Sequence, residues 1–194
     1  GEDPAEVRRV CVSSTLGLNA LLTGKEDCTG VLVVPGPGLD PRSFWGEDPL
    51  LHILSGALDH RGTVVAPLDP GEAGQHLAAV KEQGAVACAL VSKFSPKNAV
   101  LELDLRDLAL EVLGVDTPVV CGADISGTLN FPRRMHTAYC NASLSRIGRA
   151  FAIDLMRAVR AKGITCPVVI LKADAGVFSV TEASETPVES MGSG

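Results

Sequence analysis

The chain has 194 residues and a formal net charge of −6, which argues against nucleic acid as a main partner, because neutralising phosphates takes clustered Lys and Arg. Its 46% hydrophobic and 21% charged content supports a packed core at this length without disulfide or metal staples. No apolar run approaches the ~18 residues of a membrane span, and the acidic start Gly1-Glu2-Asp3-Pro4 is not a signal peptide. Aromatic residues make up only 4%, so Val, Leu, Ile and Ala must build the core, a composition that suits buried parallel strands.

In chain order, Val7 to Ser13 reads as a strand that runs into a helix from Leu16 to Leu22, stopped by Gly24. Gly30 to Val34 is a short apolar strand closed by Pro35-Gly36-Pro37-Gly38, a run that can continue neither a helix nor a central strand. Leu39 to Asp59 reads as loop with one short helix around Leu50 to Ala57. Gly62 to Leu68 predicts a strand, Asp69-Pro70-Gly71 a turn, and Glu72 to Gln83 a helix ended by Gly84. Ala85 to Val91 is continuously apolar, the pattern of a strand covered on both faces. Leu101 to Leu113 follows as an amphipathic helix and Pro118 to Cys121 as a strand. Residues 62–121 therefore predict a β-α-β-α-β run with right-handed crossovers. Thr137 to Lys162 predicts a long helix interrupted only by Gly148, with Arg146, Arg149, Arg157, Arg160 and Lys162 on its polar face. Pro167 to Leu171 is the last strand, and the rest reads as loop or short helix. The fold class is α/β, with a mixed or mostly parallel sheet and flanking helices.

Six cysteines, at positions 11, 28, 88, 121, 140 and 166, show no CxxC or zinc-finger spacing. They read as small buried hydrophobes in a reducing cytoplasm, the localisation expected here. No metal site is expected.

Two separated motifs carry the candidate chemistry. Ser13-Ser14-Thr15-Leu16-Gly17-Leu18-Asn19-Ala20 lies where a strand hands over to a helix. Hydroxyls there cap the helix, and the same free N–H groups can also face a carboxylate or phosphate. Ser126-Gly127-Thr128-Leu129-Asn130-Phe131-Pro132-Arg133-Arg134 leads to Thr137 and Asn141-Ala142. Arg134, Thr137 and Asn141 are three and four apart and share a face of a helix that begins near Pro132. Arginine binds carboxylates in bidentate fashion, so both a solvated and a site-lining role stay open for Arg134. Pro35 to Gly38 is a structural turn, because prolines remove two donors a phosphate cradle needs. Lys172 and Asp174, after the last strand, pair for acid/base work or form a simple ion pair.

These two motifs, in this order and spacing, resemble the N-terminal half of the hydantoinase A/5-oxoprolinase family, over about Glu6 to Gly194. The resemblance implies an actin-like, sugar-kinase-like ATPase fold with an inserted lobe. It divides the chain into residues 1–125, a partial N-terminal-type α/β domain, and residues 126–194, the start of the hydantoinase A core. It implies substrate-binding roles for Ser14, Thr15, Asn19, Arg134, Thr137 and Asn141, and one cleft lined by both motifs. The family's Asp-x-Gly-Gly-Thr phosphate loops do not occur in this chain, and the tail Pro187 to Gly194 resembles the start of a longer segment. The missing initiator Met suggests a processed, tagged or excised chain. The expectation is a fragment of an ATP-dependent hydrolase that opens small cyclic amides, inactive alone, with no cofactor bound by the fragment and Mg-ATP used by the parent protein. The implied partners are the rest of the parent chain, a second hydantoinase B-type subunit and a small-molecule substrate, with neither nucleic acid nor membrane. Arg42, Lys172 and Asp174 depart from the family pattern and keep two alternatives open. One is a diverged ATP-coupled enzyme such as a carboxylase subunit; the other is a non-catalytic interaction domain of the same fold.

Overall fold

The computed structural model describes residues 4–193; residues 1–3 and 194, part of the acidic start and the end of the tail discussed above, lie outside the described residues. After a 3-10 turn at Pro4–Glu6 come β1 (Val10–Val12), α1 (Leu16–Leu22), β2 (Thr29–Val34), α2 (Arg42–Trp45), β3 (Leu51–Ile53), β4 (Ala57–Leu58), β5 (Val64–Ala66) and α3 (Pro70–Glu82). The chain continues through β6 (Ala87–Ser92), α4 (Val100–Leu113), β7 (Val119–Cys121), α5 (Gly122–Ile125) and α6 (Phe131–Ala161). It closes with β8 (Val168–Leu171), β9 (Val177–Ser179), α7 (Val180–Glu185) and a 3-10 turn at Pro187–Ser190. Two compact units result: a central one, Asp27–Ser143, and a flanking one made of the chain up to Glu26 and everything from Leu144 onward. The boundary expected at 125/126 falls inside the central unit, at the end of α5.

The central unit is built on a four-stranded sheet in the order β3-β2-β6-β7, parallel throughout. Every residue of β2 and β6 is buried, as parallel strands covered on both faces must be. Alternation along the strands divides the core. Leu32, Val34, Cys88 and Leu90 pack with Leu77 and Val80 of α3 and with Leu101 and Leu105 of α4. Val31, Val33, Ala89 and Val91 pack instead with Phe131, Met135, Ala138 and Ala142 of α6. Asp69 starts α3 by accepting from the N–H groups of Gly71 (2.8 Å) and Glu72 (3.3 Å), and Pro70 occupies the first helical position, where its missing donor costs nothing.

Two expected elements differ. Leu50 to Ala57 is not a helix: it supplies β3 and the first residue of β4. An apolar run this short satisfies helical and extended periodicity alike. The open edge of β2 decides it, through Val31 N–H to Leu50 O (2.8 Å) and Leu54 N–H to Val33 O (2.9 Å). Gly62 to Leu68 yields only β5, which pairs antiparallel with β4 in a separate two-stranded ribbon. The crossover series therefore starts at β2, not at residue 62.

The flanking unit holds a sheet in the order β1-β8-β9, with β1 and β8 parallel and β8 and β9 antiparallel. Ala152, Ile170, Phe178, Val180 and Ala183 form its core, with Phe151, Leu155 and Met156 packed against them. The long helix runs through Gly148 without a break. A Cβ at that position would lie 2.9 Å from Pro187 Cβ, so the glycine allows the terminal 3-10 turn to approach the helix. β9 is added where only loop or short helix was expected, and α7, a short helix, starts with a reciprocal capping box between Ser179 and Glu182.

Candidate functional site

The first motif lies at the carboxyl end of β1, beside the end of its parallel neighbour β8. Ser14 Oγ accepts from Leu16 N–H (3.1 Å) and starts the short helix α1, while Ser14 N–H reaches Ser193 Oγ at 3.4 Å. Ala173 N–H donates to Glu189 O (2.9 Å), so the terminal segment is bonded to both strand ends. The space beside Ser14, lined also by Gly17, Leu144, Phe151, Ser184 and Ser190, measures about 20 Å³, room for about one water. No His, Asp, Glu or Lys is among the described residues that line it. Thr15 and Asn19 are exposed, and Asn19 Nδ2 donates to Thr15 Oγ1 at 3.2 Å. The motif thus presents hydroxyl and amide groups at this place.

The second motif belongs to the central unit. Arg134, on the first turn of α6, is fully buried. Its Nη1 donates to Thr128 O and its Nη2 to Ser92 O, each at 2.6 Å, and its Nε has no partner. Two of its donors are therefore spent on backbone carbonyls. Thr137 is half-buried, with Oγ1 donating to Arg133 O four residues back (2.8 Å), and Asn141 is fully buried. The shared face expected for these three points into the protein, because residues 131–142 cover the sheet.

Sequence reasoning missed Glu102, the acid that balances Arg134. Glu102 is buried on α4, where its Oε1 accepts from Ser92 N–H (2.7 Å) and its Oε2 from Ala123 N–H (2.8 Å). Burial pushes its pKa up; the Ser95 hydroxyl, the two N–H groups and the Arg134 charge pull it down. Burial lowers the Arg134 pKa, and Glu102 opposes that shift. A signal existed: Glu102 keeps the phase of the apolar stripe Leu101, Leu105, Ala109, an acid on a face that must be buried.

Lys172 and Asp174 do not form the expected pair. Lys172 bridges to Glu189, which raises the lysine pKa, and Asp174 Oδ1 accepts from Gly176 N–H (2.9 Å) inside its own turn. That turn joins two antiparallel strands, β8 and β9. None of the six cysteines is joined in a disulfide. Cys88 and Cys121 are buried as expected, Cys140 and Cys166 are half-buried, and Cys11 and Cys28 are exposed, against expectation. No described helix is long and apolar enough to cross a membrane.

These features define an α/β protein whose two motif regions each close the carboxyl end of a parallel strand pair. Residues 1–113 match the hydantoinase/oxoprolinase N-terminal region, more than half of the 194-residue chain, and the protein belongs to the hydantoinase/oxoprolinase family. No curated protein sequence matches it. Solved structures that share its fold include two ATP-dependent enzymes. One is nucleotide-free acetone carboxylase, of ATP-dependent acetone carboxylation, with TM-score 0.75 and 20% identity over 92% of this chain and 29% of that one. The other is the ATP-dependent caprolactamase of Pseudomonas jessenii, with TM-score 0.76 and 20% identity over 91% of this chain and 29% of that one. The chain thus spans 29% of the length of either structure.

Proposed function

We propose that this chain is the N-terminal part of an ATP-dependent enzyme that opens small cyclic amides of the hydantoin or 5-oxoproline type. The family match over residues 1–113 carries the reading, and the fold shared with an ATP-dependent caprolactamase supports it. Exposed Thr15 and Asn19 and the part-buried Ser14 are the substrate contacts within this chain. Arg134, Thr137 and Asn141 act behind the surface, through the backbone they support. Mg-ATP belongs to the whole enzyme, with its phosphates held by residues beyond those described, and a second subunit completes the assembly. Six cysteines with no disulfide among them suit a reducing cytoplasm.

The test is turnover by the longer polypeptide with hydantoin, 5-oxoproline and ε-caprolactam, following phosphate release with and without Mg-ATP. Ring opening coupled to phosphate release supports the proposal; turnover independent of ATP overturns it. A carboxylase reading stands beside it, because the likeness to acetone carboxylase is as close in TM-score and identity. It expects phosphate release only when acetone and bicarbonate are both supplied. Calorimetric titration of this 194-residue chain with Mg-ATP is expected to show no heat of binding; micromolar affinity would place a complete nucleotide site inside it.

A further inference from the structure

The peptide groups around Ser92 are held from two sides. Glu102 on α4 accepts the Ser92 N–H, and Arg134 on α6 donates to the Ser92 carbonyl. Each charged side chain also holds a second segment: Glu102 the start of α5 at Ala123, and Arg134 the loop before α6 at Thr128. Charges cannot be removed from water without such partners, and every one of these bonds ends on backbone, where side-chain substitution cannot supply a substitute. The loop they reach, residues 126–130, carries an exposed Leu129 and paired hydroxyls, Ser126 Oγ and Thr128 Oγ1, 3.0 Å apart. Just beyond Ser92 on the other side, Phe94 has a φ of 95°, a conformation that costs a non-glycine residue energy and persists only where the surroundings enforce it.

We propose that Glu102, the Ser92 backbone and Arg134 form one buried relay that fixes the Ser126–Asn130 loop, so that α4 and the end of β6 are mechanically coupled to the hydroxyl pair this loop presents. Arg134 is then a positioning residue, not a ligand contact. A molecule that seats on Ser126 and Thr128 and shifts the loop must disturb the buried charges, and a change at α4 is felt at the loop. The relay is independent of the reaction proposed above, since it concerns the free protein.

Backbone 15N relaxation on the intact chain tests it, with limited proteolysis in the loop as a second measure. Arg134→Lys keeps the charge but cannot span two carbonyls with a planar fork, and Glu102→Gln keeps the shape but gives up one acceptor. Both are expected to drop the heteronuclear NOE of residues 127–129 toward terminal-residue values and to speed loop cleavage at least tenfold, with the sheet signals unchanged. The decisive outcome is loop loosening in Glu102→Gln with residues 122–125 still rigid, because Glu102 makes no bond to that loop and reaches it either through Ser92 and Arg134 or through Ala123 at the start of α5; loosening that begins in α5 counts against the relay. A rigid loop in Glu102→Gln, or loosening spread evenly over residues 27–143, overturns the relay. Gly122→Ala guards against variants that do not fold: its new Cβ would lie 3.0 Å from Val91 Cγ1 on β6 and 3.2 Å from Arg134 Cγ, pressing on the relay with both charges intact. The same loop must loosen there, and an unaltered loop counts against the proposal.

Discussion

His52 and His76 meet through their Nδ1 atoms at 2.9 Å, a contact that needs one nitrogen protonated and the other bare. The far nitrogen of His52 faces Gln83 Oε1 at 3.3 Å. Burial lowers the His52 pKa; the Gln83 bond and Asp48 oppose the shift, and the His76 charge adds to it. A histidine held neutral by folding contributes stability above its ordinary pKa of 6.5, and loses it as pH falls through the depressed folded value. The urea midpoint of the central unit should therefore drop between about pH 7.5 and about pH 5, and the drop should shrink in His52→Asn; an unchanged pH dependence in that variant removes His52 as its cause. The thiols give a second reading at this scale. Burial, with the charges of Glu102 and Asp124, pushes the Cys121 thiol up to about 12, and burial raises Cys88 as well. In the native protein a thiol reagent should modify exposed Cys11 and Cys28 at least ~100-fold faster than Cys88 and Cys121, as peptide mass mapping over time would show. Comparable rates would mean that the β6–β7 core opens readily.

Elements meet here through particular small residues, and this explains what could be read from sequence and what could not. A Cβ on Gly30 would lie 2.4 Å from Val80 Cγ1, so β2 and α3 are in contact because that position is bare. Gly30→Ala should destabilise the central unit by about 1–3 kcal/mol through overpacking. Val80→Ala should recover part of that loss, giving a double variant less destabilised than the two single changes summed, a cycle that urea unfolding would check. Strict additivity would show that the two residues do not press on each other. Helices α3 and α4 and strand β6 were legible because period and breaker agreed at each: Gly84 stops one helix, Gly114 the next, and an unbroken apolar run makes the strand, whereas Asp69-Pro70, read as part of a turn, is the cap and first residue of α3. β3 was not legible, since Leu50 to Ala57 fits two periods and only the neighbouring edge of β2 selects one. Arg134, Thr137 and Asn141 were rightly placed on one helical face, yet spacing cannot say whether a face looks inward. The buried acid on α4 was the missing clue.

The central unit is one uninterrupted stretch of chain, and its two ends are bonded to each other: Asp27 N–H donates to Ser143 O at 3.0 Å. A segment whose ends meet closes its own loop and leaves no long gap to be bridged when the flanking chain is removed. It carries both sides of its core within itself, with α3 and α4 on one face of the sheet and residues 131–142 on the other. The relay between Glu102, Ser92 and Arg134 also lies wholly inside it. The flanking unit has the opposite construction, because its sheet pairs β1 with β8 from the far end of the sequence, and its Ser14–Ser193 bond closes a separation of 179 residues. A polypeptide of residues 27–143 is therefore expected to fold alone and cooperatively. Trp45, the only tryptophan of the chain, reports on it directly: it stacks on His136 at 4.6 Å and meets Tyr139 edge-on at 5.5 Å, while its Nε1–H donates to Asp48 (3.1 Å). Near-UV circular dichroism and tryptophan emission of the fragment should match those of the whole chain, with a single urea transition. A fragment with helical far-UV signal but no near-UV band would show that the unit depends on the flanking chain for its packing. The counterpart, residues 1–26 mixed with residues 144–194, must recruit β1 from a separate peptide and should associate only at a concentration set by that binding step.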